Sequence, residues 1–225
     1  MNLFEIIGPV MVGPSSSHTA GAVRIGQLAR RLMAQDISSA VIQLHGSFKA
    51  TGRGHGTDRA LLAGLMNMNC DDERIPQAFD IARERNLDYR FESCDLGPDA
   101  HPNSVRMYLH GVKGKDLEIV AASIGGGQIQ VREIDGLKCV FSGDYPALIA
   151  ENDDRPGMVA HVTELLAGRG INIATVQLDR DARHGHAVTV IETDSEIAPE
   201  DIETLRKIPG FIKITYLSLE DTEHV

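Results

Sequence analysis

Two short stretches of this 225-residue chain concentrate side chains that can hold an anion and move a proton. The first is Gly13-Pro14-Ser15-Ser16-Ser17-His18-Thr19, placed directly before a helical pattern. Ser and Thr at a helix start accept hydrogen bonds from its free backbone amides. Those amides, with the positive end of the helix dipole, suit a carboxylate or a phosphate. One serine suffices as a cap, so the run Ser15, Ser16, Ser17 and Thr19 leaves hydroxyls for a ligand. The same dipole disfavours a charged histidine in the first helical turn, so His18 is expected to be neutral and able to accept a proton. The plain alternative is a well-capped helix start and nothing more.

The second stretch is Thr51-Gly52-Arg53-Gly54-His55-Gly56-Thr57-Asp58-Arg59. Three glycines at alternate positions suggest a loop whose backbone approaches something closely and adopts positive φ. The spacing matches neither G-x-G-x-x-G nor G-x-x-x-x-G-K-[ST], so it does not indicate a nucleotide. This loop also precedes a helical pattern, with Thr57 or Asp58 available as cap. His55, held between two glycines, has little local packing to justify it; an exposed loop histidine is the competing reading. Taken together, each stretch sets a histidine and a hydroxyl at a helix N-terminus, as a site for an amino-acid carboxylate and its α-proton requires. A third stretch, Ser123-Ile124-Gly125-Gly126-Gly127, reads first as a hairpin turn or bulge. His184 and His186 read as a surface turn and are too few to argue zinc. His101 reads as loop, and His45 as core or site.

These residues need elements to hold them. Gly21–Met33 is helical by pattern, with Ala22, Ile25, Ala29 and Leu32 on one stripe. Val41–Leu44 reads as a short strand, Leu61, Leu62, Leu65 and Met66 mark a second helix, and Ala78–Arg85 a third. Five strands then follow in a run: Tyr89–Ser93, Ser104–His110, Leu117–Ser123, Gln128–Ile134 and Lys138–Phe141. Strands in a run predict a mixed α+β domain rather than a doubly wound one. The Gly, Pro and Asp content of 142–146 reads as a seam, giving domains of 1–143 and 147–225. Beyond it, strand, helix, two strands, helix and strand follow in the ferredoxin-like order βαββαβ.

The bulk composition narrows the partners. A net charge of −10 with scattered Lys and Arg argues against nucleic acid or an anionic membrane. No basic start with an apolar core marks a leader, and no apolar run approaches the roughly 20 residues that span a bilayer. Cys70, Cys94 and Cys139 are odd in number and far apart, which suits free thiols in a reducing cytoplasm. They lack the clustering that a four-iron site needs.

The stretch Gly8-Pro9-Val10-Met11-Val12-Gly13-Pro14-Ser15-Ser16-Ser17-His18-Thr19-Ala20-Gly21 resembles the opening of iron–sulfur-dependent L-serine dehydratases. Gly52–Asp58 and Ser123–Gly127 are similar to further motifs of that family. The resemblance covers the whole first domain and is to the beta chain of the two-chain form. This domain also resembles the allosteric substrate-binding domain of some phosphoglycerate dehydrogenases. The second domain resembles an ACT module, whose effector loops would include Asn152, Gly157 and Asn172. The resemblance implies an L-serine ammonia-lyase whose 4Fe-4S cluster is held by a separate alpha chain, with one iron acting on the β-hydroxyl of L-serine. It implies His55 or His18 as base for the α-proton, with Ser15, Ser16, Ser17, Thr19 and Thr57 on the carboxylate or amino group. It also implies homodimeric pairing through ACT domains. His55 in a glycine loop suits the base, and His18 on a helical turn suits orienting the substrate. The rival reading is an amino-acid sensor without chemistry.

Overall fold

The apolar stripe Ala22, Ile25, Ala29 and Leu32 is fully buried, and it seats the first helix, α1 (Gly21–Met33). The computed structural model describes residues 10–219. The motif's opening pair Gly8-Pro9, the leader reading and the outer ends of the two expected domains lie outside the described residues. The chain divides into two compact units that part between Gly136 and Leu137.

After α1, β1 (Ile37–Leu44) buries Ala40, Ile42 and Leu44 at alternate positions, as a one-sided strand must. Helices α2 (Gly46–His55), α3 (Thr57–Leu65) and α4 (Ala78–Glu84) form the crossover to β2 (Asp88–Ser93), which pairs with β1 in parallel. The strands β3 (Ser104–Gly111), β4 (Asp116–Gly125) and β5 (Gln128–Ile134) extend the first unit's sheet in the order β2-β1-β3-β4-β5, and β6 (Leu137–Phe141) opens the second unit. The expected α+β class holds, and each expected strand is present with ends moved by up to a few residues.

The segment expected as a glycine loop is instead the end of a helix. Gly52 and Gly54 sit inside α2, and of the three alternate glycines only Gly56 takes positive φ, at 71°. Two glycines cost a helix interior about 1 kcal/mol each. Phe48, fully buried, offsets that with roughly 1.5–3 kcal/mol of side-chain burial. Gly56 then ends α2 as a left-handed cap, its N–H reaching the Arg53 and Gly52 carbonyls. It also opens α3, so neither Thr57 nor Asp58 is the cap. Tertiary anchoring thus overrides the local glycine signal.

A second glycine pair decides how α1 and α3 meet. A Cβ at Gly26 would lie 2.4 Å from the Leu61 carbonyl oxygen, and one at Gly64 would lie 2.1 Å from that of Val23. The helices therefore cross backbone to backbone, which sets the start of α1 close to α2 and α3.

After β6, the second unit runs β7 (Ala147–Asp153), α5 (Met158–Gly168), β8 (Ile173–Arg180), β9 (His186–Thr193), α6 (Pro199–Arg206) and β10 (Phe211–Leu217). Its antiparallel sheet has the order β10-β7-β9-β8, the ferredoxin-like arrangement. Leu148, Ala150 and Ile191 from the sheet meet Val162, Leu166, Ile202 and Leu205 from the helices in one core.

Candidate functional site

The serine run begins a five-residue π-type turn, Ser16–Ala20, that leads into α1. Ser15 is its cap: the Ser15 hydroxyl accepts the His18 N–H at 3.2 Å. That hydroxyl is occupied, whereas Ser16 and Ser17 are half-buried in the turn whose first amides lack intrahelical acceptors. A Cβ at Gly13 would collide with Thr19 at 2.6 Å, so the turn needs glycine there, at φ 143°.

His18 and His55 come together: their ring centroids lie 5.0 Å apart. The C-terminal end of α2 delivers His55, and the turn before α1 delivers His18. Phe48 meets the His18 ring edge-on at 5.3 Å. The Nε2 of His18 lies 3.2 Å from the Ser47 hydroxyl and 3.1 Å from that of Thr51. Burial, and secondarily the nearby His55, holds His18 below its ordinary pKa, against a smaller opposing pull from the Ser47 backbone. Neutrality was expected from the helix dipole; desolvation is its leading cause.

Thr19 is buried, and its hydroxyl donates to the His55 carbonyl at 3.5 Å, tying one motif to the other. Thr57 is fully buried beside Gly52, and its hydroxyl has no protein partner. The third motif forms the β4–β5 hairpin turn, as its plain account expects. It also packs beneath the turn. The Ser123 hydroxyl, fully buried and without a partner, lies where a Cβ on Gly21 would come within 2.1 Å. Arg24 donates to the Gly127 carbonyl at 3.0 Å. The sequence reading missed Ser47 and Phe48; their signal is the spacing Ser47, Phe48, Thr51, one face of a helix not recognised as one. His45 Nδ1 accepts the Leu96 N–H at 3.1 Å and so ties the end of β1 to the chain after β2, whereas His101 Nδ1 accepts that of Asn103 at 3.1 Å within a local turn.

In the second unit, the buried Asn152 amide donates to the Asp153 carbonyl at 2.6 Å. Gly157 begins α5 at φ 95° with open space where a Cβ would lie. Asn172, exposed before β8, donates to the Asp194 carboxylate at 2.5 Å. The loop between Asn152 and Gly157 is tethered through both backbone and side chains, with the Asp153 and Asp154 N–H groups donating to the Gly210 and Gly185 carbonyls at 2.9 Å each. Asp154 accepts the His184 N–H at 3.0 Å and the Arg180 guanidinium at 3.2 Å, and Arg155 donates to the Pro209 carbonyl.

Among the described residues no set of three or more His, Cys, Asp or Glu is placed to hold a metal. Cys70 and Cys94 are half-buried, Cys139 is buried, and none of the three is in a disulfide. This donor set does not fit an iron–sulfur cluster held by this chain alone.

The sequence model of the serine dehydratase beta chain matches residues 1–94, and that of the ACT domain matches residues 147–210. The probable L-serine dehydratase beta chain of Bacillus subtilis (strain 168) is 39% identical over 217 residues, which is 96% of this chain and 98% of that one. The L-serine dehydratase beta chain of Peptoniphilus asaccharolyticus is 34% identical over 216 residues, covering 96% and 97%. The D-3-phosphoglycerate dehydrogenase of Methanocaldococcus jannaschii is 28% identical over 162 residues, which is 72% of this chain and 30% of that protein.

Proposed function

This chain belongs to the serine dehydratase beta chain family, and from that premise we propose that it is the beta subunit of a two-chain L-serine ammonia-lyase. The reaction removes the α-proton and the β-hydroxyl of L-serine as water; the enamine so formed tautomerises and hydrolyses to pyruvate and ammonia. The observation that carries the reading is the pairing of His18 and His55, 5.0 Å apart, beside a serine-rich helix start.

In this reading His55 takes the α-proton and neutral His18 orients the substrate. Ser16 and Ser17 bind the carboxylate with the turn's free amides, and Ser15 adds a hydroxyl shared with the cap. Thr19, through its hold on the His55 carbonyl, and Thr57, with its unpartnered hydroxyl, complete the substrate-binding set behind them. The partner alpha chain carries the 4Fe-4S cluster, which supplies Lewis-acid chemistry at the β-hydroxyl. The ACT match beginning at residue 147 supports functional domains of 1–143 and 147–225. Asn152, Gly157 and Asn172 would then contact an effector, and two ACT modules would pair. Three cysteines outside any disulfide support a reducing, cytoplasmic setting for the enzyme.

The test is anaerobic mixing of this chain with its alpha partner, with pyruvate formation from L-serine as readout. Turnover only in the mixture is the expected result. If the mixture is inert while this chain alone binds serine by calorimetry, the sensor reading replaces it.

A further inference from the structure

The hydroxyls around His18 constrain where its ring proton sits. The Thr51 hydroxyl lies 3.0 Å from the Ser47 backbone carbonyl, which can only accept, and 3.1 Å from His18 Nε2; we take the shorter, helical back-bond to hold its one proton. The Thr51 oxygen is thereby an acceptor towards both of its other neighbours. One is the Ser47 hydroxyl at 3.4 Å, which then donates to it; the other is His18 Nε2 at 3.1 Å. An acceptor at that distance requires a proton on Nε2. The Ser47 oxygen, 3.2 Å from the same nitrogen, accepts the other share of that N–H.

We infer that Ser47 and Thr51 are positioning residues that fix His18 as its Nε2–H tautomer and leave Nδ1 as a lone pair. Their spacing of one helical turn on α2 aims both hydroxyls at one point, and Phe48 between them sets the ring plane through its edge contact. The ligand class follows. A neutral ring with an open Nδ1 accepts from an N–H or O–H donor, such as the ammonium of an amino acid, and it repels a carboxylate. His18 and the serine turn then divide the substrate, the ring taking the amino group and the helix start the carboxylate. This assignment rests on the site proposed above, but its first test does not require turnover. The burial of His18 acts in the same direction, since it keeps the second proton off the ring.

The test uses the full chain labelled with ¹⁵N-histidine, with His18 assigned from His18→Asn. Long-range ¹H–¹⁵N correlations should show a protonated Nε2 and a lone-pair Nδ1. Thr51→Val, which keeps the shape and removes the hydroxyl, should shift the tautomer ratio roughly three- to tenfold, the effect of one net hydrogen bond. Thr51→Ser should restore it, and Ser47→Ala provides a second reading if Thr51→Val folds poorly. A protonated Nδ1 in the unaltered chain, or a ratio unmoved by Thr51→Val and Ser47→Ala, overturns the inference. In the complex with the alpha chain, Thr51→Val should raise the KM for serine with a smaller effect on kcat. A shifted tautomer with unchanged KM and kcat would overturn the assigned role in binding. An inert complex with unaltered chain would instead sink the enzymatic reading and leave the tautomer result standing.

Discussion

At the scale of single residues, the two histidines differ in how they are held. His18 is fixed by Ser15 through its backbone and by Ser47 and Thr51 through its ring. His55 ends a helix and is followed by a glycine, so its ring is the freer of the two. We therefore expect His55→Ala, in the complex with the alpha chain, to lower kcat by about 10²–10⁴-fold, as loss of a general base does. His18→Ala should weaken serine binding at least as much as it slows turnover. Solvent exchange at the serine α-carbon, measured beside kcat, separates them; normal exchange in His55→Ala assigns the base elsewhere. The pH response of His18 has a definite sign. Its folded pKa lies below the ordinary 6.5, so between those values the unfolded chain binds more protons. Its contribution to stability is full above 6.5 and is lost as pH falls towards the folded pKa. Ring-proton shifts followed from pH 8 to 4 should place the His18 midpoint below 6.5, and a midpoint at or above it would contradict the burial argument. Both motifs were legible in the sequence because their residue types are chemically conspicuous. The Ser47 hydroxyl and its pairing with Thr51 were not, since nothing local links them before α2 is known to be a helix.

At the scale of elements, periodicity recovered α1 and every strand. In α1, β1, β3 and β5 one face is buried and the pattern of apolar residues records it. Periodicity failed at α2, where Gly46, Gly52 and Gly54 crowd a ten-residue helix that Gly56 caps and one side chain, Phe48, pins to the core. This yields a sharp comparison among glycines. Gly54 lies within the helix with nothing within 4 Å of a would-be Cβ, so Gly54→Ala should stabilise by about 0.4–1 kcal/mol. In a flexible loop the same change would gain nothing. Gly26 and Gly64 are also helical, but there a methyl group meets backbone at 2.4 and 2.1 Å. Gly26→Ala should cost about 1–3 kcal/mol through overpacking, seen as a lower denaturant midpoint at unchanged slope. If Gly26→Ala is as stable as the parent chain, the close crossing of α1 and α3 is wrong.

At the scale of the molecule, the second unit has an unfinished edge. The sheet order β10-β7-β9-β8 leaves β8 outermost, and its residues from Ala174 to Arg180 are all exposed. Val176 and Leu178 are 48% and 52% exposed although their cross-strand partners Ile191 and Thr189 are buried. A strand edge with unpaired amides and an apolar face invites another strand, and the pairing of ACT modules proposed above supplies a second β8. In a two-fold arrangement each residue is buried twice. Fully burying one Leu is worth roughly 1.5–3 kcal/mol, and Leu178 is already about half covered within its own unit, so Leu178→Lys removes about 1.5–3 kcal/mol from the pair. At 1.4 kcal/mol per tenfold, the dissociation constant should rise by about 10–10²-fold. Sedimentation equilibrium of the full chain should show dimers for the parent and a shift towards monomer for Leu178→Lys. The variant should keep its fold, because Leu178 contributes little to the core of its own unit. A parent chain that is monomeric at concentrations where its complex is fully active would show that β8 pairs with nothing of its own kind.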